Sequence, residues 1–163
     1  MGGILPSLYI ARMSTRTDPV AKVRITLITD EANFALLSRK RADGKSNHGK
    51  LEMLGGHLDA GETPTQALHR ELLEEESSGA LAALVEQADP GVRSAIVDDA
   101  MHHLFEVELR AEDCASLRHD PEESIGFERV PIAELADGRH WDNLTWRTQR
   151  IFEAFGLPGT RGE

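Results

Sequence analysis

Glu71, Glu74 and Glu75 stand at positions i, i+3 and i+4 of a stretch with the start signal and period of a helix. Three carboxylates on one helical face constrain this chain more than any other feature. Thr63 is a favourable N-cap, Pro64 suits the first helical position and Gln66 completes a capping box, with apolar Ala67, Leu68, Leu72 and Leu73 following. The helix is expected to run from Pro64 to about Ser77, with Gly79 as its terminating residue. Like charges at these spacings cost about a few tenths of a kcal/mol per pair. Acidic groups toward a helix C-terminus also oppose the macrodipole. A divalent cation offsets both penalties, and Mg²⁺ in particular bridges protein carboxylates to substrate phosphates. Taken alone, the cluster reads more readily as a solvated acidic face than as a metal site.

A chain of 163 residues has the size of one domain, expected over 20–163 behind an N-terminal arm at 1–19. The arm reads as disordered or as an interface element. Val23, Ile25 and Leu27 alternate with polar residues, and Phe34 to Leu37 follows a turn, which predicts a pair of strands. Arg39 to Lys50 reads as a polar loop rich in Arg39, Lys40, Arg41, Lys45 and Lys50; it is either an anion-attracting segment or a solvated loop. Gly44-Lys45-Ser46 imitates the end of a P-loop, but Arg39 occupies the position of the first glycine. Val92 to Val97 and Met101 to Leu109 predict two more strands joined at Asp98-Asp99, with His102 and His103 on opposite faces. Leu144, Ile151, Phe152 and Phe155 form an apolar stripe ending before Gly156, which predicts a closing helix. Trp141 and Trp146 suit either a core position or stacking on a base.

The net charge of −10 carries no lysine-rich run, which argues against gripping a nucleic-acid polymer. A small anionic ligand is not excluded, because a bound cation or a few local basic groups reverse the potential inside a pocket. Cys114 is the single cysteine, so no intrachain disulfide forms and a reducing, cytoplasmic setting is expected. The apolar stretch Ile4, Leu5, Leu8, Tyr9, Ile10 is broken by Pro6 and Ser7 and is too short to cross a bilayer, so no membrane association is expected.

Gly56, Glu62, Arg70, Glu71, Leu72, Glu74 and Glu75 together resemble the box of the Nudix hydrolase family, G-x5-E-x7-R-E-U-x-E-E-x-G-U, where U is a bulky aliphatic residue. Seven of the nine specified positions match. Ser77 and Ser78 replace the last glycine and aliphatic residue, and Gly79-Ala80 lies two places downstream, so a remodelled helix end is expected rather than a lost metal site. Val130-Pro131 followed by Glu134-Leu135 is similar to a late segment of the same family.

The resemblance implies an α/β fold, an α/β/α sandwich with a mixed β-sheet. It implies a Mg²⁺- or Mn²⁺-dependent hydrolase that cleaves a diphosphate linkage in a nucleoside di- or triphosphate, or in a nucleoside diphosphate derivative, by water attack at phosphorus. By the same carry-over Glu71, Glu74 and Glu75 are metal ligands, joined by the carbonyl of Gly55 or Gly56, and Glu71 is also a candidate base. Arg70 holds the box in shape through Glu62 or Glu74, and Gly61 and Glu62 shape the loop. Glu123 and Glu128 are candidates for an additional base or ligand. Arg39, Arg41 and Lys50 are candidates for binding substrate phosphate, and His57 adjoins the box glycine.

Family marks for particular substrates are absent. Arg93 stands where ADP-ribose-directed members have proline, the only tyrosine is Tyr9, and the NADH-type signature is missing. A non-catalytic nucleotide sensor stays open as the alternative, supported by Ser77 and Ser78. The diphosphate isomerase branch uses a catalytic cysteine, and Cys114 has no matching context. Homodimerisation is common in the family and is left open here.

Overall fold

The computed structural model describes residues 17–41 and 48–157. Most of the expected arm at 1–19, and 42–47 of the expected basic loop, lie outside the described residues. Strands β1 (Val20–Ile28), β2 (Asn33–Lys40), β3 (Leu51–Glu52) and β4 (Leu54–His57) precede helices α1 (Pro64–Glu75) and α2 (Ala80–Ala88). The hairpin β5 (Gly91–Val97) and β6 (Ala100–Arg110) follows, then β7 (Ser124–Pro131), α3 (Ile132–Ala136) and α4 (Trp146–Phe155).

The strands form one sheet in the order β3-β2-β1-β6-β5, with β4 pairing β1 and β7 pairing β2. β1 runs parallel to β6 and antiparallel to β2 and β4, so the sheet is mixed. Strand alternation sorts the side chains onto two faces. On one face Ala21, Val23, Ile25 and Leu27 meet Leu68 and Leu72 of α1 and Leu81 and Val85 of α2. On the other, Leu37, Leu104 and Val130 meet Ile151, Phe152 and Phe155 of α4. The result is an α/β/α sandwich, and Ile151, Phe152 and Phe155 of α4 and their neighbour Leu144 are core, as the stripe requires.

Local differences from the sequence reading have physical causes. Arg39 and Lys40 belong to β2 rather than to the polar loop, because β7 pairs along the whole of β2 and extends it. Leu144 precedes the last helix, which starts after the N-cap Thr145. The box helix stops at Glu75, and Gly79 does not end it. Gly79 takes a left-handed conformation, φ 81°, and opens α2, a second helix that packs on the same core.

The helix end is built around Glu76, which is fully buried. Its carboxylate accepts from the Ser78 hydroxyl at 2.6 Å, from the N–H groups of Ser78 and Leu81 at 3.2 Å, and from the Arg118 N–H at 2.8 Å. Ser77 adds a backbone bond to the Arg118 carbonyl, 2.8 Å. Burial alone would push the Glu76 carboxyl up, but these donors outweigh it and hold it below the usual range. The serines that depart from the family pattern are therefore part of a hub joining α1, α2 and the segment before β7.

Candidate active site

α1 begins as its sequence requires: the Thr63 hydroxyl accepts from Gln66 N, and the Gln66 side chain accepts from Thr63 N, at 3.1 and 3.0 Å. This fixes the rotation of the helix, with Ala67, Leu68 and Leu72 inward and the glutamate face directed to the β4 end of the sheet. β4 pairs β1 over only four residues, and two of its four are glycines. Both glycines are required by close approach. A Cβ at Gly56 would lie 2.5 Å from the Glu71 carboxyl, and one at Gly55, where φ is +117°, would collide with the Ala21 carbonyl.

The Glu75 carboxylate accepts from the Gly55 N–H at 3.0 Å. Burial is the main cause that pushes the Glu75 carboxyl up to about 8, with Lys22 and the Gly55 N–H opposing it and Glu71 and Glu52 adding to it. Burial, and then the neighbouring Glu74, raises Glu71 as well. Glu74 is half-exposed and lies 3.4 Å from Arg70.

Arg70 ties the box together. It donates to both Glu62 oxygens at 2.8 and 3.0 Å, to the His57 carbonyl at 2.9 Å and to Glu71 at 3.2 Å. Glu62 also accepts from Asp59 N at 2.7 Å. The Arg70 hydrogen bonds, foremost among the causes, hold the Glu62 carboxyl below its usual range. Gly61, φ +81°, turns the loop that brings Glu62 to this point.

Glu71 and Glu75 form one wall of a cavity of about 500 Å³ that also contains Gly55, Gly56, His57, Asp59 and Glu123. Glu128 lies elsewhere, on β7, paired with Arg39 at 2.9 Å. Arg39 also donates to the Gly49 carbonyl at 2.7 Å, and Arg41 to the Pro121 carbonyl. Neither Arg39, Arg41 nor Lys50 lines the cavity among the described residues; its basic groups are Lys22, Lys40 and Arg147. Lys22 is buried on β1, donating to the carbonyls of Met53 and Gly55 at 3.0 and 3.1 Å, with Glu52 at 3.9 Å. Lys40 pairs with Glu52 at 3.2 Å. Burial raises Glu52, but Lys22 and Lys40 more than compensate and hold it low.

Sequence reasoning missed Lys22, Lys40, Glu52 and Arg147 as a group. A single lysine in an alternating strand signals a solvated position, whereas Lys22 is buried where β1 is flanked by β4 and β6. His57 Nε2 is buried with no hydrogen-bond partner among the described residues. Burial, then the charges of Arg147 and Lys22, lower its pKa, which favours the neutral ring. His102 is buried, its Nδ1 against the Ala100 carbonyl at 3.1 Å, and His103 pairs with the Ser94 hydroxyl on the opposite face. Cys114 is buried in the core and does not line the cavity, and burial raises its thiol pKa.

Among the described residues no three His, Cys, Asp or Glu side chains already converge on one point. The box carboxylates are instead divided between Arg70 and the Gly55 N–H. The donor set still fits a hard divalent cation. It offers carboxylate oxygens whose burial, with the neighbouring carboxylates adding to it, raises the pKa of Glu71 and Glu75, and Mg²⁺ needs only one or two direct carboxylates because it retains waters.

A mixed sheet lies between helical layers, with a glycine strand end facing a glutamate-lined helix. The chain belongs to the Nudix family: the model of the NUDIX domain matches residues 19–151. The fold is similar to that of a MutT protein from Methanosarcina mazei Go1, 18% identical, TM-score 0.54, over 86% of this chain and 94% of that one. It is also similar to the Nudix hydrolase RenU from M. Smegmatis, 19% identical, TM-score 0.59, over 86% of each chain. A third similar structure is a C. elegans Ap4A hydrolase binary complex, 14% identical, TM-score 0.53, over 85% of this chain and 97% of that one. No curated protein matches the chain in sequence. No helix among the described residues is long and apolar enough to cross a membrane.

Proposed function

We propose that this protein is a Mg²⁺- or Mn²⁺-dependent diphosphohydrolase acting on a nucleoside di- or triphosphate or a nucleoside diphosphate derivative. The observation that carries this reading is the cavity wall in which Glu71 and Glu75, both with raised pKa values, face Gly55 and Gly56. Glu71 and Glu75, with Glu74 and a carbonyl of Gly55 or Gly56, would hold the cation. The cation, when bound, neutralises phosphate oxygens and acidifies a water. Lys40 and Arg147 offer positive charge to the substrate phosphates from the opposite side. In the reaction, water oxygen bonds to phosphorus, the bridging P–O bond breaks, and the leaving phosphate departs with the bond's electrons. The water's proton passes to a carboxylate: Glu71 and Glu123 both line the cavity, whereas Glu128 is engaged by Arg39. Arg70 and Glu62 act by position, holding the loop against the helix. The Glu76 hub gives Ser78 and the adjoining Ser77 a structural part at the helix end, which supports the hydrolase reading over a non-catalytic sensor.

The test is hydrolysis in ¹⁸O-water with Glu75→Gln and Glu71→Gln beside the unaltered protein. One ¹⁸O in the released phosphate product, and turnover at least about 100-fold lower in both variants, is expected for loss of charge stabilisation at the reacting phosphate. Unchanged turnover in both variants would overturn the assignment of these residues.

A further inference from the structure

We propose that Trp146 and Arg147 form a nucleoside-monophosphate subsite, Trp146 stacking on the base and Arg147 pairing with the phosphate attached to the ribose. The subsite deepens the hydrolase reading and rests on it for the identity of the cavity. Six large apolar side chains are exposed among the described residues, and Trp146, 63% exposed, is the one that lines the carboxylate cavity. An indole left in water at a cavity wall is poorly accounted for by packing. It is well placed for a planar aromatic guest.

The ring is also held in place. The Arg150 guanidinium lies 5.8 Å from its centroid and is itself anchored by Asp98, 3.1 Å to each oxygen, and by Glu153 at 2.7 Å. At the helix start, Thr145 N donates to the Leu51 carbonyl at 2.9 Å and the Thr145 hydroxyl to Glu52 at 3.3 Å, so the residue before Trp146 is fixed to β3. An aromatic platform held from two sides loses little conformational freedom on binding. Arg147, the next residue, has no hydrogen-bond or ion-pair partner among the described residues, unlike Lys22 and Lys40 in the same cavity. A guanidinium with no hydrogen-bond or ion-pair partner among the described residues, beside an exposed indole face, matches a phosphate beside a base. The cavity volume of about 500 Å³ is also that of a site for a nucleotide-sized ligand, well beyond what a diphosphate unit fills.

The experiment is intrinsic-fluorescence titration with AMP, GMP, CMP, UMP, adenosine and ribose 5-phosphate, with and without Mg²⁺, on the full chain and on Trp146→Ala, Trp146→Phe and Arg147→Ala. Trp141 is buried and reports folding, whereas Trp146 reports the subsite. Monophosphates are expected to quench the emission and ribose 5-phosphate is not. Measured calorimetrically, Trp146→Ala raises the AMP Kd about tenfold, the scale of a lost base stack, while Trp146→Phe raises it less than about threefold. In Arg147→Ala, AMP and adenosine bind alike. Equal affinity of unaltered protein and Trp146→Ala for AMP, or no monophosphate binding at all, overturns the subsite. Hydrolysis with a KM that ignores Trp146→Ala also overturns it and leaves the hydrolase standing. Trp146-dependent AMP binding without turnover of any nucleotide leaves the subsite standing and removes the hydrolase.

Discussion

Gly56 and Glu71 show how closely this site depends on single atoms. A Cβ at position 56 would sit 2.5 Å from the Glu71 carboxyl, so the carboxylate would have to move. Gly56→Ala is therefore expected to lower turnover about 100-fold, the scale of a displacement near 1 Å at a reacting centre. A steady-state assay checks this, and a variant within twofold of the parent would refute the close approach. Glu75 makes a second prediction at this scale. Burial places its folded pKa near 8 against 4.5 unperturbed, so in metal-free protein the unfolded chain binds fewer protons over that interval. Stability contributed by the protonated carboxyl is present below pH 4.5 and is lost as pH rises toward 8. His57, His102 and His103 have lowered pKa values, mainly from burial, and act in the opposite direction below 6.5, so the clean window lies above it. Between pH 6.5 and 8 in EDTA, urea titration should show the parent losing about 2 kcal/mol relative to Glu75→Gln. Parallel pH profiles for the two proteins would contradict the buried-carboxyl account. The spacing of Glu71, Glu74, Glu75 and Arg70 was legible in the sequence because a helix converts spacing directly into a face. Lys22 was not, since its burial depends on a strand pairing 33 residues away.

At the scale of elements, α1 was legible at its start and illegible at its end. The capping box lies within four consecutive residues and needs no partner from elsewhere. The end depends on Arg118 and Leu81, distant or downstream groups that convert Glu76 from an apparent surface acid into a buried acceptor of four hydrogen bonds. Truncation at Glu76→Ala leaves the N–H groups of Leu81 and Arg118 without this acceptor and is expected to cost about 3 kcal/mol in urea unfolding; Ser78→Ala is expected to cost about 1 kcal/mol. A loss below about 0.5 kcal/mol for Glu76→Ala would show that the hub contributes nothing. The hairpin of β5 and β6 was legible because Asp98-Asp99 takes the left-handed turn, φ 49° and 69°, between two apolar runs. β3 and β4, two and four residues long, carry too short a pattern to show a period.

For the whole molecule, the sandwich places two chemistries on opposite sides of one cavity. α1 brings carboxylates from one face of the sheet, while β1 and α4 bring Lys22, Trp146 and Arg147 from the other. The two faces meet at β4, where glycine leaves the sheet without side chains to separate them. Fold class and the carboxylate wall followed from the sequence; the basic wall did not, because its members are scattered over more than 100 positions of the chain. A net charge of −10 is compatible with an anionic substrate only if a cation and this basic wall govern the potential inside the cavity. The most direct test is product release from a panel of nucleoside di- and triphosphates, sugar nucleotides and dinucleotides in Mg²⁺ and Mn²⁺, repeated in EDTA. Turnover of at least one nucleotide that disappears with EDTA and returns with added metal is predicted; a folded protein that hydrolyses none of them, or one indifferent to EDTA, would contradict the account.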